Sequence, residues 1–322
     1  MLSIFDSQGQ GLVKRDGSDD SRPTIWIDLL NPTRDEERHV ETLLGIEMPT
    51  REEMSEIEVS SRLYQENGAH YMTATVMYQI DAPEPQVSAI TFILTDTHLI
   101  TLRYAEPRAF PLFLSRAGKG DTVCDGAMAV MVGLIEAIID READLIERLQ
   151  AETEKLAQTV FSMRSGASSR TRRFEAVLKR IGKVGEVSAM ARESLLSLER
   201  VLTYLAQAAN IRKEADTVRR RIKTETRDVM SLSDHLGYLN ARISFMLEAT
   251  LGMVSIEQNQ IIKLFSVVAV MLMPPTLVAS IYGMNFRHMP ELEWTYGYPI
   301  AIGLMVVSAV LPYLYFRRKG WL

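Results

Sequence analysis

Two stretches near the end of the chain restrict its possible folds more than any other feature. Residues 264–281 read LFSVVAVMLMPPTLVASI and residues 298–316 read YPIAIGLMVVSAVLPYLYF, and neither contains a charge. At 1.5 Å of rise per residue the first covers roughly 27 Å, close to the thickness of a bilayer's hydrocarbon core. The competing reading is a pair of buried core helices in a water-soluble protein. Pro274, Pro275 and Pro312 argue against it: an interior proline removes a backbone donor and strains a soluble helix, whereas in a membrane neighbouring helices satisfy the freed carbonyls. Tyr296, Tyr298, Tyr313, Tyr315 and Trp321 bracket the second stretch in the manner of an interfacial aromatic belt. The sequence therefore predicts an integral membrane protein with two C-terminal transmembrane helices.

The flanking charges predict how this hairpin is oriented. Lys263 precedes the first span, and Arg317, Arg318 and Lys319 follow the second. The connecting segment, 283–297, sets Arg287 against Glu291 and Glu293. Positive-inside counting places both termini in the cytoplasm and the short loop outside. A two-span hairpin must have both ends on one side, so the two arguments agree. The mean hydropathy of −0.01 hides this asymmetry, because residues 1–263 carry nearly all the charge. Residues 1–17 have no basic segment leading into an apolar core, so no signal peptide is expected. The single cysteine, Cys124, is unable to form an internal disulfide or a thiolate cluster and fits a reducing compartment. A net charge of −5 argues against nucleic-acid binding.

Residues 1–120 read as one mixed α/β domain. TIWIDL at 24–29 is a strand candidate, and a helix begins after it with Thr33 and Glu36 at capping-box spacing. Asn67-Gly68 signals a hairpin between 62–65 and 70–80. Residues 87–94 and 99–103 read as strands separated by the turn residues Asp96-Thr97. From 125 to 281 the pattern is helical, with breaks expected at 165–169 and near Ala209-Asn210. No proline occurs between Asn210 and Pro274, which allows a single helix of about seventy residues, on the order of 100 Å, running as a stalk into the first span. Such a helix needs partners to steady it. Two spans alone are too few to enclose an aqueous path, so any pore requires several copies around an axis.

Enzyme motifs with a supporting context are missing from the sequence. Gly9-Gln10-Gly11 lacks a third glycine and a following helix and reads as a turn. There is no phosphate-binding loop, His-Glu-x-x-His or Cys-x-x-Cys, and the five histidines are scattered. The chain is not expected to be an enzyme, and no organic cofactor is expected. The basic run Arg212, Lys213, Arg219, Arg220, Arg221 and Lys223 reads first as a solvated stalk face. Its alternative role is pairing with acidic helices such as 140–154.

The first span ends in Tyr282-Gly283-Met284-Asn285-Phe286. Met289-Pro290-Glu291-Leu292, Tyr296-Gly297-Tyr298-Pro299 and a tail of Arg317-Arg318-Lys319-Gly320-Trp321-Leu322 follow it. With Ile256-Glu257-Gln258-Asn259 and the stretch from Pro274 to Ser280, this pattern resembles the CorA family of magnesium transport proteins, in its proteobacterial branch. The resemblance is dense over 220–322 and looser but colinear over the N-terminal domain, including Trp26-Ile27-Asp28-Leu29. It implies a funnel-shaped homopentamer: a cytoplasmic α/β domain (1–120), a helical hairpin (121–210), a stalk and pore-lining first span (211–282), a periplasmic loop (283–297), an outer second span (298–316) and a basic cytoplasmic tail (317–322). The implied activity is passive, potential-driven Mg2+ influx through the bacterial inner membrane, closed by intracellular Mg2+, with Co2+ and Ni2+ also passing.

The resemblance makes Gly283, Met284 and Asn285 the selectivity filter, with a ring of Asn285 amides receiving the ion. Magnesium sheds water reluctantly. Neutral amide oxygens hydrogen-bond the hydrated ion yet hold it weakly enough to release it. The alternative role for Asn285 is a helix C-cap. Stepping back along the first span gives Thr276, Met273, Ala269, Ser266, Ile262, Asn259, Ser255, Gly252 and Glu248 as a pore-facing stripe, and a helix-packing seam is its alternative. Met273, Phe265 and Ile262 would form an apolar gate, although Phe265 lies off the strict stripe. Glu291 and Glu293 in the outer loop would concentrate cations. Asp81 and Asp228 are the expected regulatory metal ligands, bridged by the ion between neighbouring protomers. The rival readings are a zinc transporter of the related ZntB type and a membrane-anchored scaffold.

Overall fold

The computed structural model describes residues 1–8, 11–15, 23–120, 124–162, 170–285 and 289–321. Seven strands are present: β1 (Leu2–Gln8), β2 (Gly11–Lys14), β3 (Thr24–Leu30), β4 (Leu63–Glu66), β5 (Ala69–Tyr78), β6 (Gln86–Leu94) and β7 (Leu99–Arg103). The helices are α1 (Arg34–Leu44), α2 (Arg51–Met54), α3 (Val59–Arg62), α4 (Ala109–Gly118), α5 (Ala127–Ser162), α6 (Arg170–Ile211), α7 (Asp216–Tyr282) and α8 (Gly297–Arg318). A 3-10 turn, Pro290–Glu293, precedes α8. The chain divides into two compact units. One is Met1–Ser165 with Glu175–Met246, and the other is Gly166–Phe174 with Leu247–Leu322.

The first unit is organised around a single sheet with strand order β2-β1-β3-β7-β6-β5-β4. Its pairs are antiparallel except β3 with β7, which run parallel. Both faces are covered, so β3, β5 and β7 are almost continuously buried. One face packs Ile27, Leu29, Ile100 and Leu102 against Val40 of α1 and Met54 of α2. The other carries Trp26, which stacks on Phe5 and meets Phe110 and Phe113 of α4.

Asp28 lies on this second face and is only 6% exposed. Its carboxylate accepts from the Arg103 guanidinium at 2.9 and 2.7 Å and from the Thr101 hydroxyl at 2.7 Å, and Thr101 accepts from the Trp26 indole at 3.0 Å. Every charge in the group is answered, which is the condition for burying it.

Local signals in the sequence account for much of the scaffold. The Thr33–Glu36 capping box forms, with the Thr33 amide donating to Glu36 at 2.9 Å and the Glu36 amide donating back at 3.3 Å. Asn67 and Gly68 both adopt positive φ, 49° and 82°, as a tight hairpin turn requires. Helices α5 and α6 run antiparallel, because Glu142 meets Ser194 while Glu152, further along α5, meets Arg180, earlier in α6. The break expected near Ala209-Asn210 comes slightly later, after Ile211. Ala208 and Ala209 are buried, so the helix continues through them, and the chain then turns with Lys213 at φ 53°. The expected long helix is α7, 67 residues without interruption. Residues 165–169, like Gly9 and Gln10, lie outside the described residues.

Candidate functional site

In the second unit, the spans 264–281 of α7 and 298–316 of α8 carry no charge on any side. Leu264, Leu272 and Leu277 are each more than half exposed, as are Val306, Val307 and Leu311 of α8. Val267 and Ala301 are the buried exceptions among the described residues of the two spans. A helix that is hydrophobic on every side and uncovered by its own chain requires an apolar surrounding. Both helices are long and apolar enough to cross a membrane.

The prolines of α7 leave the carbonyls of Val270 and Met271 without their usual amide donors. Hydroxyls in the same region also turn inward. Thr276 donates to the Leu272 carbonyl at 2.7 Å and Ser266 to the Ile262 carbonyl at 2.8 Å. Their protons are therefore committed to the backbone, and only oxygen lone pairs remain available on the outer side.

At the end of α7 the Gly283 amide donates to the Ala279 carbonyl at 3.0 Å and the Met284 amide to the Ile281 carbonyl at 3.2 Å. A Cβ on Gly283 would stand 3.1 Å from the Ala279 carbonyl oxygen, tighter than an ordinary contact, so any larger residue would press on this last turn. The capping groups are thus Gly283 and Met284. Asn285 is outside the left-handed region that a C-cap asparagine adopts. Its side chain is exposed and has no hydrogen-bond partner among the described residues. A neutral amide is thus exposed immediately beyond an apolar helix.

Met273 and Phe265 are each 69% exposed and Ile262 61%. Thr276, Ala269, Asn259 and Glu248 are also exposed, so in the single chain nothing covers the expected stripe. Phe265 sits about 60° around the helix from Ile262, at the edge of that stripe. Glu293 is exposed at the end of the 3-10 turn, while the side chain of Glu291 and residues 286–288 lie outside the described residues.

The two expected regulatory acids occupy different surroundings in the first unit. Asp81 is gripped by three guanidiniums: Arg108, just before α4, and Arg141 and Arg148 of α5, the latter two at 2.9 and 3.1 Å. The Arg108 hydrogen bond, helped by Arg141 and Arg148, holds its carboxyl below the usual range. Asp228 is exposed on α7 and belongs to a group of acids that sequence reasoning did not assemble. One turn away, Glu225 is only 8% exposed, with its carboxyl pushed up to about 7 by burial and by Glu136, Asp228 and Asp140. Glu136 is paired with Arg221 at 2.8 Å and Asp140 with Arg116 at 2.9 Å. The i, i+3 spacing of Glu225 and Asp228 was visible in the sequence, but the approach of α5 was not. Among the described residues, no three His, Cys, Asp or Glu side chains of this single chain converge as a metal-binding group.

The sequence matches the family described as "CorA-like Mg2+ transporter protein" over residues 22–318. It is 36% identical to the magnesium transport protein CorA of Yersinia pseudotuberculosis, with both chains covered completely. The fold matches the complete structure of the CorA magnesium transporter from Methanocaldococcus jannaschii with a TM-score of 0.77 at 18% identity, covering 100% of this chain and 99% of that one. The cytoplasmic domain of ZntB from Vibrio parahaemolyticus is a more distant match, with a TM-score of 0.55 at 8% identity over 79% of this chain and 97% of its own. An α/β domain, a long helix and two C-terminal apolar helices thus come together in a chain that belongs to the CorA family.

Proposed function

We propose that this protein carries Mg2+ passively across a membrane through a pore that several copies of α7 line, with Asn285 at its outer mouth. The observation that carries this reading is the exposed Asn285 amide at the end of an apolar helix, in a chain matching a Mg2+ transporter family over nearly its whole length. A ring of neutral amides suits a hydrated hard cation, which keeps its water and leaves again. The driving force is the membrane potential, roughly 4.6 kcal/mol per 100 mV for a divalent ion. Co2+ and Ni2+ would share the path.

The assembly that fits is a homopentamer in the bacterial inner membrane with both termini in the cytoplasm. Residues 1–120 form its cytoplasmic α/β domain, 121–210 a helical hairpin, 211–282 the stalk and inner span, 283–297 the periplasmic loop, 298–316 the outer span and 317–322 the tail. Thr276, Met273, Ala269, Ile262, Asn259 and Glu248 face the axis, with Met273, Ile262 and the flanking Phe265 as the dewetting gate. Gly283 and Met284 complete the filter, and Glu291 and Glu293 concentrate cations at its entrance. Closure follows when cytosolic Mg2+ bridges carboxylates of neighbouring subunits. Asp228, exposed and with Glu225 beside it, offers oxygen ligands from one side. Asp81 joins from the other by exchanging one of its arginine partners.

The test is uptake into proteoliposomes containing a Mg2+-sensitive dye, under an inside-negative potential. Influx by the intact protein and its loss in Asn285→Ala are expected. With Mg2+ preloaded inside, Asp81→Asn combined with Asp228→Asn is expected to abolish inhibition, and unchanged inhibition would remove these acids from the regulatory site. Zn2+ flux without Mg2+ flux would turn the reading to a zinc transporter, and flux of neither to a scaffold.

A further inference from the structure

Seven cations crowd into residues 212–227, and the structure sorts six of them into two groups. Arg212 donates to the Thr95 carbonyl at 2.8 Å and pairs with Asp96 at 3.2 Å, while Arg221 pairs with Glu136. Those two tie α7 and the turn before it to the rest of their unit. Arg219, Arg220, Lys223 and Arg227 instead line a groove of about 770 Å3 between the end of α6 and the start of α7.

The only acid in the wall of that groove is Asp216, and Arg219 already engages it. Among the described residues, Arg220 bonds to the Asp216 backbone carbonyl, at 3.2 Å, and to no carboxylate. Lys223 and Arg227 have no carboxylate partner among the described residues. The α6 side of the groove is small and weakly polar, with Thr203 exposed and Ala206 half-buried, while Ala209 and Ile222 lie beneath the surface at 0% and 1% exposure. Gln207 and Asn210 add exposed amides from α6.

A net-negative chain thus keeps three uncompensated cations beside a weakly polar wall, in a concavity of the size that holds small organic ligands. Arginine forks match phosphate oxygens in paired hydrogen bonds, and several cations together match a multiply charged anion. A small inorganic anion would leave that wall and the amides unused. A ligand with a phosphate chain at one end and a flat, weakly polar ring at the other would use all three features. We infer that the groove between α6 and α7 binds a nucleoside polyphosphate, its phosphates on Arg220, Lys223 and Arg227 and its base against Thr203 and Ala206.

The experiment is a titration of the full-length protein in detergent, in EDTA, with fluorescent trinitrophenyl-ATP. Saturable binding is expected, displaced by ATP and ADP at concentrations far below those needed for inorganic phosphate. Lys223→Gln with Arg227→Gln is expected to weaken it by roughly tenfold or more, since each charged hydrogen bond lost is of that order. Oligomer mass and Asn285-dependent Mg2+ uptake are expected to stay unchanged in that variant. Three results would each overturn the inference: no saturable binding, displacement by inorganic phosphate at equal concentration, or undiminished binding in the double variant. A variant whose oligomer falls apart would also overturn it, by showing that the groove seats an acidic face of a second copy.

Discussion

Glu142 shows what a single side chain can reveal about proton placement. It is wholly buried on α5, and its carboxyl contacts the Ser194 hydroxyl. Ser194 has one proton, and that hydroxyl also lies 2.8 Å from the Thr75 carbonyl, which only accepts. The proton between Glu142 and Ser194 therefore comes from Glu142, which agrees with burial raising its pKa from 4.5 to about 8. The folded chain thus holds a proton that the unfolded chain releases. The resulting stabilisation is full below about pH 4.5 and disappears as pH rises to about 8, a slope of roughly 1.4 kcal/mol per pH unit. Glu142→Gln retains a donor and removes the titration. Urea midpoints of the full chain in detergent should therefore favour the variant more at pH 7.5 than at pH 5.5, and parallel pH profiles would show that Glu142 is ionised. Sequence gave no hint of this group, because Glu142 reads as one more acid on a charged helix until Ser194 and Thr75 are brought to it from far along the chain.

At the scale of elements, legibility followed the strength of local signals. β3, β6, β7, the Asn67-Gly68 hairpin, the α1 capping box and the long α7 all carry period, turn or cap chemistry and were readable. β1 and β2 were not. β2 has only four residues, and β1 mixes Ser3, Asp6 and Ser7 into its apolar positions, so neither has a clear period of its own. They are held as the edge of a sheet whose other strands lie far off in sequence. Helix α4 was missed because its entry, Arg108, makes no side-chain cap and its short apolar run suits a strand equally well. Its place is fixed by packing instead. Gly133 of α5 lets the Phe113 ring of α4 sit so close that a Cβ would fall 2.5 Å from Phe113 Cε2. That ring is 1% exposed and wedged against Trp26 at 5.9 Å, which leaves it no retreat. In Gly133→Ala, about 1–3 kcal/mol of overpacking should outweigh the roughly 1 kcal/mol gained in helix propensity. A lower thermal midpoint is expected, and a higher one would show that the ring yields.

For the molecule as a whole, the two membrane helices were the most legible feature, because hydrocarbon imposes its demand on every residue of a span at once. The surroundings of Asp81 and Asp228 were the least legible, since they depend on which side chains of α4 and α5 reach them. Orientation in the bilayer has a direct chemical test. Cys124, the only cysteine, is buried, and burial pushes its thiol up to about 11, so it stays silent to thiol reagents. A cysteine introduced elsewhere then reports alone. On intact cells a membrane-impermeant maleimide should label Glu293→Cys at once and Trp321→Cys only after permeabilisation. The opposite pattern would reverse the proposed orientation.

The inward hydroxyl of Thr276 has one more consequence. An ordinary alcohol swivels, giving a proton to one visitor and a lone pair to the next. Thr276 has given its proton to Leu272 and is no longer free to swivel, so it behaves as a fixed dipole with its negative end outward. Whatever approaches from that side meets an acceptor alone. Cations and water hydrogens are received, and anions are turned away, by a residue that carries no net charge.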